Sequence, residues 1–336
     1  MQVDIGTNSA VENRMNIDEL NVMKLAADEL RHLAQDENLK SLCESNAALK
    51  KIVRRIANRY IAGESVEEAI LSLQAIAARG HSTSLELLGE SCRDAARSDE
   101  ICEEIVGVIS RLGAANISGS ISLDLSHIGA VIHPQLGASN FRKIALAAKK
   151  SGREVMISME DSSRTDLILD IYKGLQQDRQ GDFSHVGITL QARLHRTERD
   201  LTELMNYPGK IRLVKGAYFE TSENALARDR AALGERYLCF AERLLKQGQL
   251  CSIATHDRQI QQQLCSFIQS QHCDVRRFEF ESLIGLGTEA IDALRDAGMP
   301  TREYAVYGGE YFLYVLNRIA EHPPRLFQAL IDAMAD

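Results

Sequence analysis

The stretch Ile211–Tyr218 reads IRLVKGAY, and it has the pattern of a short buried strand whose C-terminal end opens into a site. Side chains of a strand alternate between its two faces, so Arg212 and Gly216 share one face while Lys215 lies on the other. Cations of this kind also flank strands merely to keep the strand ends soluble. The same arrangement, an apolar run that ends in polar residues, recurs along the chain, and this recurrence favours a functional interpretation.

Eight short apolar runs of this kind alternate with helical stretches from residue 79 onward. The predicted strands are 79–85, 121–126, 153–159, 185–191, 210–215, 250–255, 277–281 and 303–307. The predicted helices are 100–112, 141–150, 166–175, 198–205, 225–246, 259–269, 289–297 and 311–320. A doubly wound sheet gives the same alternation, but eight strands that are each followed by a helix predict a TIM-like (β/α)8 barrel.

Residues 17 to about 78 contain no strand pattern and are predicted to be helical. Ser65 and Glu68 form a capping-box pattern at the start of a helix that runs through Ile76. The predicted organisation of this α/β chain is therefore an α-helical N-terminal region at 1–78, followed by a (β/α)8 catalytic barrel at 79–336.

The composition argues against several classes of protein. A formal net charge of −8 does not suit a nucleic-acid-binding surface, which needs clustered cations. No apolar stretch approaches the roughly 20 residues that span a bilayer, and the first 16 residues lack the pattern of a secretory signal. The seven cysteines show no C-x-x-C pair and no metal-ligand spacing. We therefore expect a cytoplasmic protein with no nucleic-acid partner and no transmembrane segment.

Polar residues stand at the C-terminal ends of six successive predicted strands, where the active site of such a barrel is built. They are Ser158 and Glu160, Gln191 and Arg193, Lys215 and Tyr218, Thr255 and His256, Glu281, and Tyr304. A purely structural barrel has no reason to place bonding and titrating groups there, so these residues are the candidate site.

Two weaker motifs do not change this interpretation. The segment 285–290 matches the dinucleotide fingerprint G-x-G-x-x-A, but only one further strand follows it, so we predict a loop between strand and helix. His127 and His133 lack a third ligand at metal spacing, so no metal site is predicted. His256 differs because it closes an apolar strand among polar neighbours, although a histidine satisfied in the core would look the same.

Several sequence blocks occur in an order that is specific for one family. They are Leu88–Glu90, Met159–Ser163, Gly187–Ala192, Arg212–Tyr218, Ala254–Asp257 and Phe278–Phe280, completed by Tyr304 and Arg318–Glu321. With these blocks the chain resembles the proline dehydrogenase family, flavoenzymes with a distorted (β/α)8 barrel. The resemblance runs from about Gly80 to the C-terminus and does not cover the N-terminal helices equally well.

The resemblance implies a noncovalently bound FAD. By that resemblance Arg212 should lie beside the flavin N5, and Gln191 should bond the pyrimidine edge of the isoalloxazine through its amide. The remaining residues implied for the cofactor, several of them near its ribityl and phosphate portion, are Lys215, Gly216, Ala217, Tyr218, Thr255, His256, Asp257 and Glu281.

The resemblance also implies a substrate pocket. Tyr304 and Tyr314 should wall the substrate, with Tyr304 taking part in catalysis beside Arg212, and Arg318 should pair with the substrate carboxylate. Glu90 and Glu321 complete the set.

Three positions of that pocket depart from the family. Asp124 stands where the family has a lysine that grips the substrate carboxylate, Ser158 replaces an aspartate, and Asn317 replaces one of two paired arginines. In addition Glu281 replaces the family's usual glutamine. The flavin set is otherwise kept, while the substrate set is altered.

The expected function is hydride transfer from the carbon beside the nitrogen of a proline-like cyclic amine to flavin N5, which leaves an imine. Repulsion by Asp124 favours a substrate whose carboxylate is masked, missing or differently placed. Two alternatives stay open, an ordinary L-proline dehydrogenase that forms 1-pyrroline-5-carboxylate and a degenerate member that binds without catalysis. The electron acceptor (quinone, oxygen or a carrier protein) is not predicted, and a quinone would make the protein peripheral to the membrane.

Overall fold

The computed structural model of the chain describes residues 17–89, 91–178, 181–228 and 231–334. Eight parallel strands form one closed barrel in which each strand pairs with its neighbours in the sequence and the first pairs with the last. The strands are β1 (Ser82–Leu87), β2 (Ser120–Leu123), β3 (Val155–Ile157), β4 (Val186–Gln191), β5 (Ile211–Val214), β6 (Cys251–Ala254), β7 (Phe278–Leu283) and β8 (Thr301–Tyr307). The predicted (β/α)8 barrel is thus confirmed.

In the described part of the chain, nine helices belong to the same compact unit, Asn58–Tyr311, in whole or in part. They are α4 (Val66–Ala78), α5 (Ala95–Ala114), α6 (Pro134–Lys150), α7 (Thr165–Gln176), α8 (Thr197–Leu204), α9 (Ala231–Lys246), α10 (Arg258–Gln271), α11 (Thr288–Asp296) and the first residue of α12 (Tyr311–Ala320). Apolar faces of these helices pack on the outside of the barrel in one continuous core, with Phe141, Tyr172 and Tyr237 fully buried.

Several predicted boundaries are wrong, and for two of them the backbone shows the reason. The first strand begins at Ser82 rather than 79, because Arg79 is the C-cap of α4 and Gly80 turns the chain with a φ of +89°. The helix predicted from residue 225 begins at Ala231, because the preceding backbone is held in a loop. Within that loop Leu226 N donates to the Arg193 carbonyl at 2.9 Å, and the Arg193 side chain binds the Leu226 carbonyl at 3.1 Å.

The start of α4 follows its sequence pattern. Ser65 caps the helix by accepting a hydrogen bond from Glu68 N, and the Glu68 carboxylate accepts from Glu64 N at 2.8 Å.

The segment 285–290, which matches the dinucleotide fingerprint, contains a turn, since Gly285 and Gly287 both have positive φ and Gly287 is the N-cap of α11.

The inside of the barrel is unusually polar. Near the N-terminal ends of the strands, Glu279 on β7 accepts from Lys210 at 2.9 Å and from Arg302 on β8 at 2.8 Å. Glu154 accepts from the same lysine at 2.7 Å. This buried ion network closes the bottom of the barrel and leaves its other end for a site.

A second compact unit combines described residues 17–57 with 312–334. It contains α1 (Ile17–Ala34), α2 (Glu37–Ser45), α3 (Ala47–Ala57), the rest of α12, and α13 (Arg325–Met334). In it α3 packs against α13, where Arg55 donates to the Ala333 carbonyl at 3.2 Å. The division of the chain into domains at residues 78 and 79 remains a prediction.

Among the described residues, no helix is both long enough and apolar enough to cross a membrane.

Candidate active site

Arg212 occupies the centre of the barrel interior above the ion network. Arg212 is on β5, and Lys210 directly precedes that strand. The two residues are two positions apart, so both side chains point into the barrel. Its Nε lies 3.0 Å from one carboxylate oxygen of Glu281 and its Nη2 lies 2.9 Å from the other, a two-point ion pair between neighbours that are both buried. Burial alone would lower the pKa of Arg212, but Glu281, Tyr304 and Glu86 together outweigh burial and raise it. The guanidinium is therefore permanently charged and fixed in orientation.

Three serines complete the shell of this ion pair. Arg212 Nη2 also donates to Ser122 Oγ at 3.0 Å, and Ser84 Oγ lies 3.0 Å from Ser122 Oγ. Ser252 donates to the Glu281 carboxylate from β6. These contacts tie five strands together around one cation, so its position does not depend on a loop.

Tyr304 on β8 covers Arg212 on one side. The guanidinium carbon lies 4.9 Å from the centre of the Tyr304 ring, a cation–π contact. The Tyr304 hydroxyl donates to Glu86 on β1, and Ser158 Oγ donates to the same carboxylate oxygen of Glu86 at 3.0 Å. Burial raises the pKa of Glu86 although Tyr304, Ser158 and Arg212 oppose the shift.

Gln191 at the end of β4 is held in one orientation. Its Nε2 donates to the Glu160 carbonyl at 2.7 Å, while its Oε1 is buried with no hydrogen-bond partner among the described residues. Beside it Gly216 has a φ of +112°, and a Cβ on that glycine would stand 2.7 Å from Gln191 Oε1. The buried acceptor Gln191 Oε1 thus lies next to Gly216, where no side chain fills the space.

A polar rim follows strands β5 and β6. Lys215 Nζ lies 2.7 Å from Asp257, whose carboxylate also caps α10, and the ion pair and this cap hold the pKa of Asp257 low despite its partial burial. Thr255 Oγ1 accepts from Asp257 N at 3.2 Å, and His256 Nε2 accepts from Leu283 N at 3.1 Å. These residues, predicted for the cofactor, are thus brought to one side of the barrel mouth.

The loop after β5 is fixed by a buried arginine. Arg193 Nη1 donates to the Tyr218 carbonyl at 2.6 Å and its Nε donates to the Leu226 carbonyl. The Ala217 carbonyl accepts from Arg228. The two predicted residues Ala217 and Tyr218 therefore contribute backbone groups to a loop that is anchored at both ends.

The predicted substrate residues are placed less completely. Asp124, half-buried after β2, lies near enough to Tyr304 to raise the pKa of that phenol, to which burial and Glu86 contribute more. Glu90 lies outside the described residues. Tyr314, Asn317, Arg318 and Glu321 belong to the helical unit, where Arg318 lies 2.9 Å from Glu321 and 5.2 Å from the Tyr314 ring centre. Their meeting with the barrel residues stays a prediction.

Comparison with known proteins identifies the family. The family described as proline dehydrogenase matches residues 69–321. Proline dehydrogenase of Deinococcus radiodurans is 33% identical over 273 residues, which cover 80% of this chain and 86% of that protein. Proline dehydrogenase 1 of Bacillus subtilis strain 168 is 28% identical over 267 residues, or 80% and 87% of the two chains. The chain belongs to the proline dehydrogenase family. The members of this family are flavin-dependent oxidoreductases.

Solved structures share the fold. Proline utilization A from Bdellovibrio bacteriovorus, inactivated by N-propargylglycine, superposes with a TM-score of 0.73 at 17% identity. The match covers 94% of this chain and 43% of that one, so this chain spans less than half of that larger protein. The likeness confirms the barrel.

The residues present fit the flavin that the proline dehydrogenase family uses. An isoalloxazine offers a ring N–H that needs an acceptor, and Gln191 Oε1 is a buried acceptor to which none of the described residues donates. The bare backbone at Gly216 leaves room beside that oxygen, and the charged Arg212 lies on β5, the strand that pairs with the strand of Gln191. Among the described residues no group of three or more metal-binding side chains is arranged to hold a metal ion.

Sequence reasoning missed Glu86 and the serines. Glu86 was left out because the first strand was predicted to end at residue 85, whereas β1 continues to Leu87. In the observed strand Ser84 and Glu86 are two residues apart and therefore lie on the same face. This spacing is the sequence pattern from which they could have been predicted. Ser122 and Ser252 carry no distinguishing pattern, because their role depends on Arg212 and Glu281 from other strands.

Proposed function

We propose that the chain is an FAD-dependent oxidoreductase of proline-like cyclic amines whose carboxylate is masked, absent or differently placed. FAD, bound without a covalent link, would accept a hydride at N5 from the carbon beside the amine nitrogen and leave an imine. Arg212 would stabilise negative charge at N5, and Gln191 would accept a hydrogen bond from the pyrimidine edge. Lys215, Thr255 and His256 would serve the ribityl and phosphate portion.

One observation carries the substrate proposal, the acidic surroundings of Tyr304. This tyrosine donates to the carboxylate of Glu86, and Asp124 lies close enough to act on its pKa. The nearby cation Arg212 is already paired with Glu281 at 2.9 Å. These anions would therefore repel a substrate carboxylate, but they would not repel a positively charged or neutral amine.

Ordinary L-proline oxidation is the second candidate. It is favoured by the relatives named proline dehydrogenase, which are 28–33% identical over four-fifths of this chain. Arg318, if it reaches the substrate as the family resemblance implies, would supply the cation for such a carboxylate.

The test begins with the purified protein. Acid should release a yellow cofactor that migrates as FAD, and anaerobic addition of a true substrate should bleach it. The panel is proline, its methyl ester, its amide and pyrrolidine, followed by turnover with oxygen, a quinone and a carrier protein as alternative acceptors. A protein that takes up FAD yet is bleached by none of the four amines would refute the proposal and leave a binding role.

Asp124→Lys should shift the preference toward proline. A charge-assisted hydrogen bond is worth roughly 1.5–3 kcal/mol, so a restored cation should raise kcat/KM for proline about ten- to a hundredfold relative to the methyl ester. Asp124→Asn is the matched control, because it removes the anion without adding a cation and should give the smaller part of the shift. If the unmodified protein already prefers proline over its ester, the acidic-pocket proposal is wrong while the family chemistry stands.

A further inference from the structure

Glu86 is a buried acid at the bottom of the proposed substrate site. It is 8% exposed, and its position on β1 turns it into the barrel. One of its carboxylate oxygens accepts hydrogen bonds from Tyr304 and Ser158. An acid placed this way costs free energy to keep charged, so its retention in the interior calls for a purpose.

The oxidation needs an acid acceptor of this kind. A secondary amine is a protonated ammonium near neutral pH, and a hydride cannot leave the adjacent carbon until the nitrogen lone pair is free. We propose that Glu86 receives, through the Tyr304 hydroxyl, the proton that the substrate ammonium loses before hydride transfer. This inference rests on the proposed function and adds a role for a residue at the same site.

The transfer balances in protons and charge. The ammonium N–H bond breaks as its proton passes to the Tyr304 oxygen, while the Tyr304 O–H bond breaks and its proton forms the acid O–H of Glu86. The tyrosine is restored, the carboxylate becomes a neutral carboxylic acid, and the ammonium becomes a neutral amine. The hydride would then leave with its electron pair to the flavin of the proposed function, and the product would be the protonated imine.

The groups around Glu86 suit this role. Tyr304 from β8 and Ser158 after β3 contact it, Arg212 from β5 favours its charged form, and Glu160 beyond β3 disfavours it. The Glu160 carboxylate already accepts hydrogen bonds from Ser126 N at 3.0 Å and from Arg164, so it is not the acceptor that Tyr304 uses. Asp124 is the rival acceptor, since it also acts on Tyr304. Burial raises the pKa of Glu86, which makes its carboxylate a better base than an exposed one.

The decisive variant is Glu86→Gln, which keeps the shape and an acceptor for Tyr304 but cannot take a proton. The rate of anaerobic flavin reduction is measured from neutral pH to about pH 10, close to where an alkyl ammonium titrates. With the base lost, the rate near neutrality should fall about a hundredfold. The deficit should then shrink about tenfold for each pH unit, as free amine becomes available from solution.

Matched variants separate this role from others. Glu103→Gln removes the same charge from the exposed outer face of α5 and should keep the unmodified profile. Asp124→Asn should also show no pH-dependent rescue if Glu86 is the acceptor, and a rescue there would overturn the assignment. A deficit in Glu86→Gln that is equal at every pH would show a merely structural role and would overturn it as well.

A second measurement does not depend on turnover. The flavin is first reduced with dithionite so that no hydride transfer can follow, and the amine of the panel is then added. The infrared difference spectrum should show loss of a carboxylate band and gain of a carboxylic-acid band, and both changes should be absent in Glu86→Gln. An unchanged carboxylate band on binding of the amine would refute the proton transfer, even if the flavin is bleached as the proposed function expects.

Discussion

At the scale of single residues, the site depends on one arginine whose geometry is fixed from several sides. Arg212 contacts Glu281 at two points, Ser122 at one, and the face of Tyr304. A lysine keeps the charge but has no planar fork, so it can satisfy only part of this set.

Arg212→Lys should therefore fold but reduce its flavin about ten- to a hundredfold more slowly, the equivalent of roughly 1.5–3 kcal/mol for a lost charge-assisted bond. Stopped-flow reduction by the best amine of the panel measures this, and thermal unfolding monitors the fold. Arg276→Lys, at a residue whose side chain is 85% exposed, is the control and should change neither. Unchanged reduction kinetics in Arg212→Lys would show that Arg212 does not act on the flavin.

At the scale of elements, the turn from β5 into its loop forms part of the proposed cofactor pocket. Gly216 combines a positive φ with close neighbours, Gln191 Oε1 and Arg193 Cδ, both 2.7 Å from where a Cβ would stand. Any side chain at position 216 would thus push against Gln191, which is proposed to orient the flavin, and against Arg193, which holds the loop.

Gly216→Ala should lose most of its bound flavin while keeping the barrel. Gly298→Ala is a matched control, because Gly298 also has positive φ, +80°, yet a Cβ there would meet nothing within 4 Å. Both variants pay the backbone strain of about 1–2 kcal/mol, but only the first fills the pocket. The ratio of flavin to protein absorbance measures the outcome, and equal flavin loss in both variants would attribute the effect to strain alone.

At the scale of the whole molecule, the ion network at the bottom of the barrel links its stability to pH. Burial would raise the pKa of Glu279, but Arg302 and Lys210 outweigh burial and lower that pKa from 4.5 to about 2. Because the folded value is depressed, the ionised form stabilises the fold at pH values above 4.5, and that contribution is lost as the pH falls from 4.5 toward 2.

Glu279→Gln should unfold more easily at neutral pH, by about 3–5 kcal/mol for a broken buried pair, and its stability should depend less on pH in the acid range. Denaturant unfolding at several pH values measures both effects. The change Glu103→Gln at an exposed residue should leave the dependence of the free energy of unfolding on pH as it is in the unmodified protein. If Glu279→Gln also leaves that dependence unchanged, the ion network does not contribute to it. Should Glu279→Gln fail to fold, the acid slope of the unmodified protein still tests the assignment.

The sequence alone determined the barrel, because its signals are local. Short apolar runs, helical periodicity and the eightfold alternation all arise within a few residues of one another, and the ordered blocks around Arg212, Gln191 and His256 identified the family. The predicted starts of β1 and α9 were wrong because a turn at Gly80 and an anchored loop before Ala231 overrode local propensity.

Only the tertiary structure decided which side chains meet inside the barrel. Glu281 pairs with Arg212 from a strand 69 residues away, and Glu86 meets Tyr304 across 218 residues of chain. No local pattern encodes such contacts, because closing the barrel brings together positions that share only a face and a depth along their strands. The same closure buries Glu86 against a tyrosine and a serine, and burial rather than residue type is what raises the pKa of that carboxyl group.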